Sequence, residues 1–274
     1  MLPREIIPFV CEHFVWGKIL REGKDVSGYK IVAKTPGLTE KDCADVLGRT
    51  GSGFSQAILR GRRAYAFFQL SPKQIVFSCT QRSLTPENLN RYYLQTHFLV
   101  FDQEVFEAIH ADLQYLAKEM DEIPTFEEEK TLPLFKATYQ RQNSIESDLR
   151  RIARLYPSEF LENTYRALKG DNPVAIFDSS GSENKVLDLF QLLFLLTPPT
   201  ERKHLTFASM ASGAEVGKYK FKVNPTGVLK LPHIVIRLDD AKVVPPHLVA
   251  QLPSFGILRF HATLVELMGE KIRE

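Results

Sequence analysis

The chain has 274 residues, 44% of them hydrophobic and 25% charged, with 35 Lys and Arg against 33 Asp and Glu for a net charge of +2. The apolar fraction excludes global disorder, and the near balance of charge argues against a dedicated nucleic-acid coat while leaving room for a local basic patch. Cys11, Cys43 and Cys79 are too few and too scattered for a disulfide framework and form no Cys-x-x-Cys pair, which points to reduced thiols. The opening residues Met1 to Glu5 lack a signal-peptide pattern. The most apolar run, residues 186–196, is interrupted by Asp188 and Gln191 and falls short of the ~20 residues that a membrane span needs. The expectation is a cytoplasmic protein with no membrane association.

Residues 14–20 and 29–33 are strand-like, rich in β-branched and aromatic side chains. Thr35-Pro36-Gly37 breaks the chain, and Thr39 begins a cap for a helix running to about residue 47, with Gly48 as its stop. Residues 64–70 and 74–79 pair as a hairpin across Ser71-Pro72-Lys73, and residues 92–101 form another strand. Residues 103–120 have the apolar spacing of one amphipathic helix, through Val105, Ile109, Leu113 and Leu116. From residue 121 to 136 the prolines and the Glu127-Glu128-Glu129 run suit a solvated connector.

Beyond it the pattern gives a helical stretch over 145–168 with a break at Pro157, a buried-type strand at 173–177, and a very apolar helix from about 183 to 196. Ser180 and Glu183 match a capping box for that helix. Pro198 and Pro199 stop it, strands follow near 205–210, 219–223 and 234–238, and a helix over 255–268 closes the chain. The reading is an α+β fold: two mixed α/β units, 1–122 and 144–274, joined by a Pro/Glu-rich connector at 123–143.

The search for chemistry is mostly negative. The stretch from Gly48 through Gly53 has the outer glycine spacing of a phosphate-binding loop, but Phe54 stands where that loop needs Lys, and the stretch follows a helix rather than a strand. No pair among the seven histidines has zinc-binding helical spacing, and His97 reads as a hydrogen-bonded core histidine. The cysteines lie in no catalytic signature and no Gly-x-Ser-x-Gly elbow is present. No catalytic residue, metal ligand or cofactor is therefore assigned. The clearest charge cluster is Arg60, Arg62 and Arg63, with Arg49 near in sequence and Tyr65, Phe67 and Phe68 following. Arginine beside aromatic residues suits carboxylates, phosphates or bases; the same residues also suit a solvated loop that leads into a core strand.

Four segments carry a resemblance. The run from Ser27 to Leu38 and the aromatic-His strand from Tyr92 to Asp102 are similar to the N-terminal domain of bacterial GTPase-associated proteins. Residues Asn172 to Asp178 and Leu196 to Phe207 resemble the middle domain of the same family. The resemblance, over roughly residues 14–210, implies a non-enzymatic adaptor or regulatory subunit that docks a partner protein, a small Ras-like GTPase, in a bacterial conflict or defence system. It supplies no catalytic residues. Arg49, Arg60, Arg62 and Arg63 are the expected partner-binding residues, and a nucleic-acid-binding accessory subunit is the alternative.

Overall fold

The structure, a computed structural model, describes residues 5–50, 58, 61–87, 91–120, 122–141, 143–178, 183–209, 219–223, 234–244, 260 and 262–266. Helices pack on one large mixed sheet, so the architecture is α+β. The first half supplies β1 (Glu5–Gly17), β2 (Leu20–Arg21), β3 (Lys24–Asp25), β4 (Lys30–Lys34), α1 (Glu40–Thr50), β5 (Ala64–Ser71), β6 (Gln74–Arg82), β7 (Leu94–Asp102), α2 (Gln103–Ala108) and α3 (Leu113–Glu119). Next come β8 (Lys130–Thr131) and β9 (Phe135–Arg141), then α4 (Ile145–Ala153), α5 (Ser158–Lys169), β10 (Val174–Phe177) and α6 (Glu183–Leu196). A 3-10 turn at Pro199–His204 leads to β11 (Phe207–Ser209), β12 (Phe221–Val223), β13 (Ile234–Arg237) and β14 (Lys242–Val244).

The strand order is β14-β13-β10-β12-β11-β5-β6-β7-β1-β4-β8, with β9 pairing β1 off this path and β2–β3 forming a separate ribbon. Strands β13, β10, β12 and β11 run parallel to one another, whereas β5, β6, β7 and β1 form an antiparallel meander. The two sets meet where β11 lies antiparallel to β5, Phe207 opposite Phe67. Tyr65 N–H donates to Ser209 Oγ at 2.7 Å across this seam. Phe207 stacks on Phe190 of α6 with ring centroids 4.1 Å apart. Burial of each such ring contributes about 2–3 kcal/mol.

Strands β5 to β7 are buried on both faces over most of their length because helices pack on each. One face of β7, Leu99 and Phe101, joins the large core with α2 to α6; the other, Phe98 and Val100, packs with Cys43 and Val46 of α1. Thr39 and Asp42 cap α1 reciprocally, Asp42 N–H donating to Thr39 Oγ1 and Thr39 N–H to Asp42 Oδ2. The helix runs through Gly48 to Thr50, whose hydroxyl donates to Val46 O.

The helix expected over 103–120 is two helices. His110 and Ala111 both adopt left-handed backbone, φ +57° and +51°, which no continuous right-handed helix accommodates. Asp112 then restarts the helix by accepting from Tyr115 N–H at 2.9 Å. The first strand starts at Glu5 rather than residue 14, its early part alternating exposed Ile6 and Val10 with buried Phe9 and Cys11 opposite β9. The expected capping residue Ser180 lies outside the described residues. No helix among the described residues is long and apolar enough to cross a membrane.

Candidate functional site: a basic cleft

Where α1 ends, Arg49 leans back over β5, and Arg49 Nη1 donates to Gln69 O at 2.9 Å. Where α5 ends, Lys169 donates to Glu201 Oε1 at 3.0 Å, and the other oxygen of that carboxylate accepts from Tyr165. Gly170 then turns the chain into β10. Lys220, immediately before β12, reaches back to this turn: its ammonium donates to Gly170 O and to Asn172 O, the latter at 2.6 Å. The Lys220 backbone N–H donates to Thr206 Oγ1 at 2.9 Å, which fixes the entry of β12 against that of β11.

These groups line an open cleft of about 740 Å³. Arg49, Lys169, Lys203 and Lys220 contribute four cations, His204 lies beside them, and Asp171 is the one carboxylate of the described lining. Lys203 and His204 are exposed, and among the described residues neither side chain has a hydrogen-bond or ion-pair partner. The Lys220 pKa falls from 10.5 to about 8, because burial penalises the charged form more than Asp171 supports it. An anion entering the cleft would relieve that penalty.

Arg202 precedes Lys203 in sequence and does a different job. Its side chain is buried, donating from Nε to Thr197 O at 2.9 Å, pairing with Glu107 and lying over the Phe194 ring. Of the expected partner-binding residues, Arg49 lines the cleft. Arg63 Nη1 donates to Met120 O at 3.2 Å, at the opposite end of β5. Gln69, which holds Arg49, lies six positions along the strand from Arg63, roughly 20 Å away. Arg62 is exposed after the turn at Gly61 (φ +94°), and Arg60 lies outside the described residues.

The remaining candidates behave as packing groups. Burial pushes the Cys11 thiol up to about 12 and the Cys43 thiol to about 11. His97 Nε2 and His13 Nδ1 share a 2.8 Å hydrogen bond, and His13 Nε2 donates to Pro133 O at 2.7 Å, so both rings tie β1 and β7 to the segment before β9. Residues 51–57 of the glycine-rich stretch lie outside the described residues.

Lys169, Lys203, His204 and Lys220 were not among the expected site residues. The sequence displayed Lys203 and His204 in a basic run after two prolines, but Lys169 and Lys220 are single charges joined to them only by the crossing of β10, β11 and β12. No family profile matches the chain, and no curated protein matches it.

Proposed function

We propose that the chain is a non-enzymatic adaptor or regulatory subunit that docks an acidic region of a partner protein in the basic cleft. The partner implied by the resemblance to GTPase-associated proteins is a small Ras-like GTPase in a bacterial conflict or defence system. In this reading, residues 1–122 and 144–274 are the two functional parts, 123–143 connects them, and the cleft takes cations from both. The single observation that supports it is the convergence of Arg49, from the first part, with Lys169, Lys203 and Lys220, from the second, in one cleft where Lys203 and His204 have no side-chain partner among the described residues. Cations already held by carbonyls or carboxylates keep a residual field, and the exposed pair is left to meet a ligand. Arg62, exposed at the far end of β5, is an outer contact.

The test is capture of the partner from the native host, followed by titration against wild type and Lys203→Glu. The docking reading expects a ~30-fold loss of affinity, about 2 kcal/mol, with folding intact. Equal affinity would remove the cleft from the interface. A nucleic acid that bound instead would reveal itself by a steep fall of log affinity with log salt.

A further inference from the structure

The cleft does not end at Lys203. Arg49, Gln69 and Lys203 also line an adjoining cavity of about 550 Å³, whose other walls are Leu70 and Ser71 at the end of β5, Pro72 of the turn that follows, Gln103, and Pro199 and Thr200 of the 3-10 turn. The two cavities form one groove with chemically different ends. The inner end is cationic, and the outer end carries no formal charge of its own beyond the shared Arg49 and Lys203.

We infer that the occupant of this groove is an extended acidic segment of a partner protein, its carboxylates toward Arg49, Lys203 and Lys220 and an apolar residue toward Leu70, Pro72 and Pro199. The inference rests on the docking reading above and narrows it from an acidic surface to a single strand of chain. Concavity favours the segment: a folded surface contacts the rims of a groove, whereas an extended peptide can fill it. The charge gradient sets its direction; Gln103 is already bonded to Gln69 and Glu107, and Ser71 to Gln74 and the Lys73 N–H, so Thr200 is the polar side chain left at the outer end for a peptide main chain.

Single-stranded nucleic acid is the competing polyanion, and the lining disfavours it. Base stacking needs an exposed aromatic face. Of the rings in the described lining, Phe68 and Tyr219 are 3% and 4% exposed and packed edge to face against each other, with the Tyr219 hydroxyl donating to Thr50 O, which leaves the exposed His204 imidazole as a single stacking surface where a strand of successive bases needs several. Asp171 adds a carboxylate that a phosphate chain would have to approach, while an acidic peptide can place a neutral residue there.

The experiment is fluorescence anisotropy with a labelled peptide of alternating Glu and Asp ending in leucines, against a single-stranded oligothymidylate of equal length. The expected result is saturable peptide binding, weakened about tenfold or more by Lys203→Glu, with the oligonucleotide far weaker. Absence of saturable peptide binding, unchanged affinity in Lys203→Glu, or equal binding of the oligonucleotide would each overturn the inference. The two readings fail separately. If Lys203→Glu loses the native partner while the peptide never binds wild type, docking stands and the extended segment is wrong. If Lys203→Glu keeps the partner and the peptide does not bind, both are wrong.

Discussion

Two short basic runs sit at comparable places in this molecule, each where a strand is about to enter the central sheet. Arg62 and Arg63 precede β5; Arg202, Lys203 and His204 precede β11, the strand that pairs with β5. In both, one arginine is spent on the protein itself, Arg63 on Met120 O and Arg202 on Thr197 O and Glu107, and its neighbours remain exposed. The runs differ in what the topology brings beside them. Around Lys203 the ends of α1 and α5 and the start of β12 converge, so three further cations share one concave space. Exposure alone leaves Arg62 solvated and, in the docking reading, no more than an outer contact, whereas concavity and convergence place Lys203 in a field shared with three further cations.

The comparison breaks most visibly through Arg202. Arg202→Ala leaves a buried carbonyl without its donor and should cost about 2–3 kcal/mol of stability, whereas Arg63→Ala, which gives up one part-buried bond to a carbonyl, should cost about 1 kcal/mol or less. Urea denaturation of the two variants measures the difference, and equal losses would mean that the two runs are anchored alike.

Next in size is the effect of Lys203→Glu on partner affinity, ~30-fold or about 2 kcal/mol, with stability changed by less than about 0.5 kcal/mol. A loss of stability accompanying the loss of affinity would mean that Lys203 is part of the fold and not a contact.

A smaller effect separates the two ends by pH. Lys220 is protonated below about 8, so the cleft loses a positive charge as pH rises through that value. Its ammonium faces the carbonyls of Gly170 and Asn172 and the charge of Asp171, with Lys169, Lys203, Arg49 and His204 on the other walls of the cleft. Binding of an acidic ligand should weaken about fivefold between pH 7 and 9, and Lys220→Met should abolish that step. A lysine with its ordinary pKa of about 10.5 would remain charged across this range, so a flat profile in wild type would mean that Lys220 keeps that ordinary value or lies outside the ligand's field, and the affinity of Lys220→Met at pH 7 separates the two.

The smallest expected effect belongs to Arg62→Glu, about threefold or less in affinity, as for an exposed charge at the rim of an interface. If this variant lost more than Lys203→Glu in the same titration, the docking surface would lie at the start of β5 and not in the cleft.

Much of the fold was legible because local rules and burial agree. The reciprocal cap at Thr39 and Asp42, the β5–β6 hairpin across Pro72, the apolar helix α6 and the break at Pro157 all follow from residues a few positions apart. The single helix expected over 103–120 failed because apolar spacing continues across His110 and Ala111 while their backbone reverses hand. The early part of β1 was obscured because Ile6 and Val10 are exposed and Pro8 interrupts the pattern; only pairing with β9 holds it as a strand.

The site divides in the same way. Sequence by itself determined which side chains are cationic, that Lys203 and His204 follow a helix stop, and that the glycine-rich stretch lacks the phosphate-gripping lysine. Tertiary structure decided which charges act together, since residues 49, 169, 203 and 220 share no local spacing. It also decided which charges are already spent, because a guanidinium beside Thr197 O and one in solvent are the same letter. Charge reaches across space, through a medium and a geometry that are fixed only once β5, β10, β11 and β12 lie side by side.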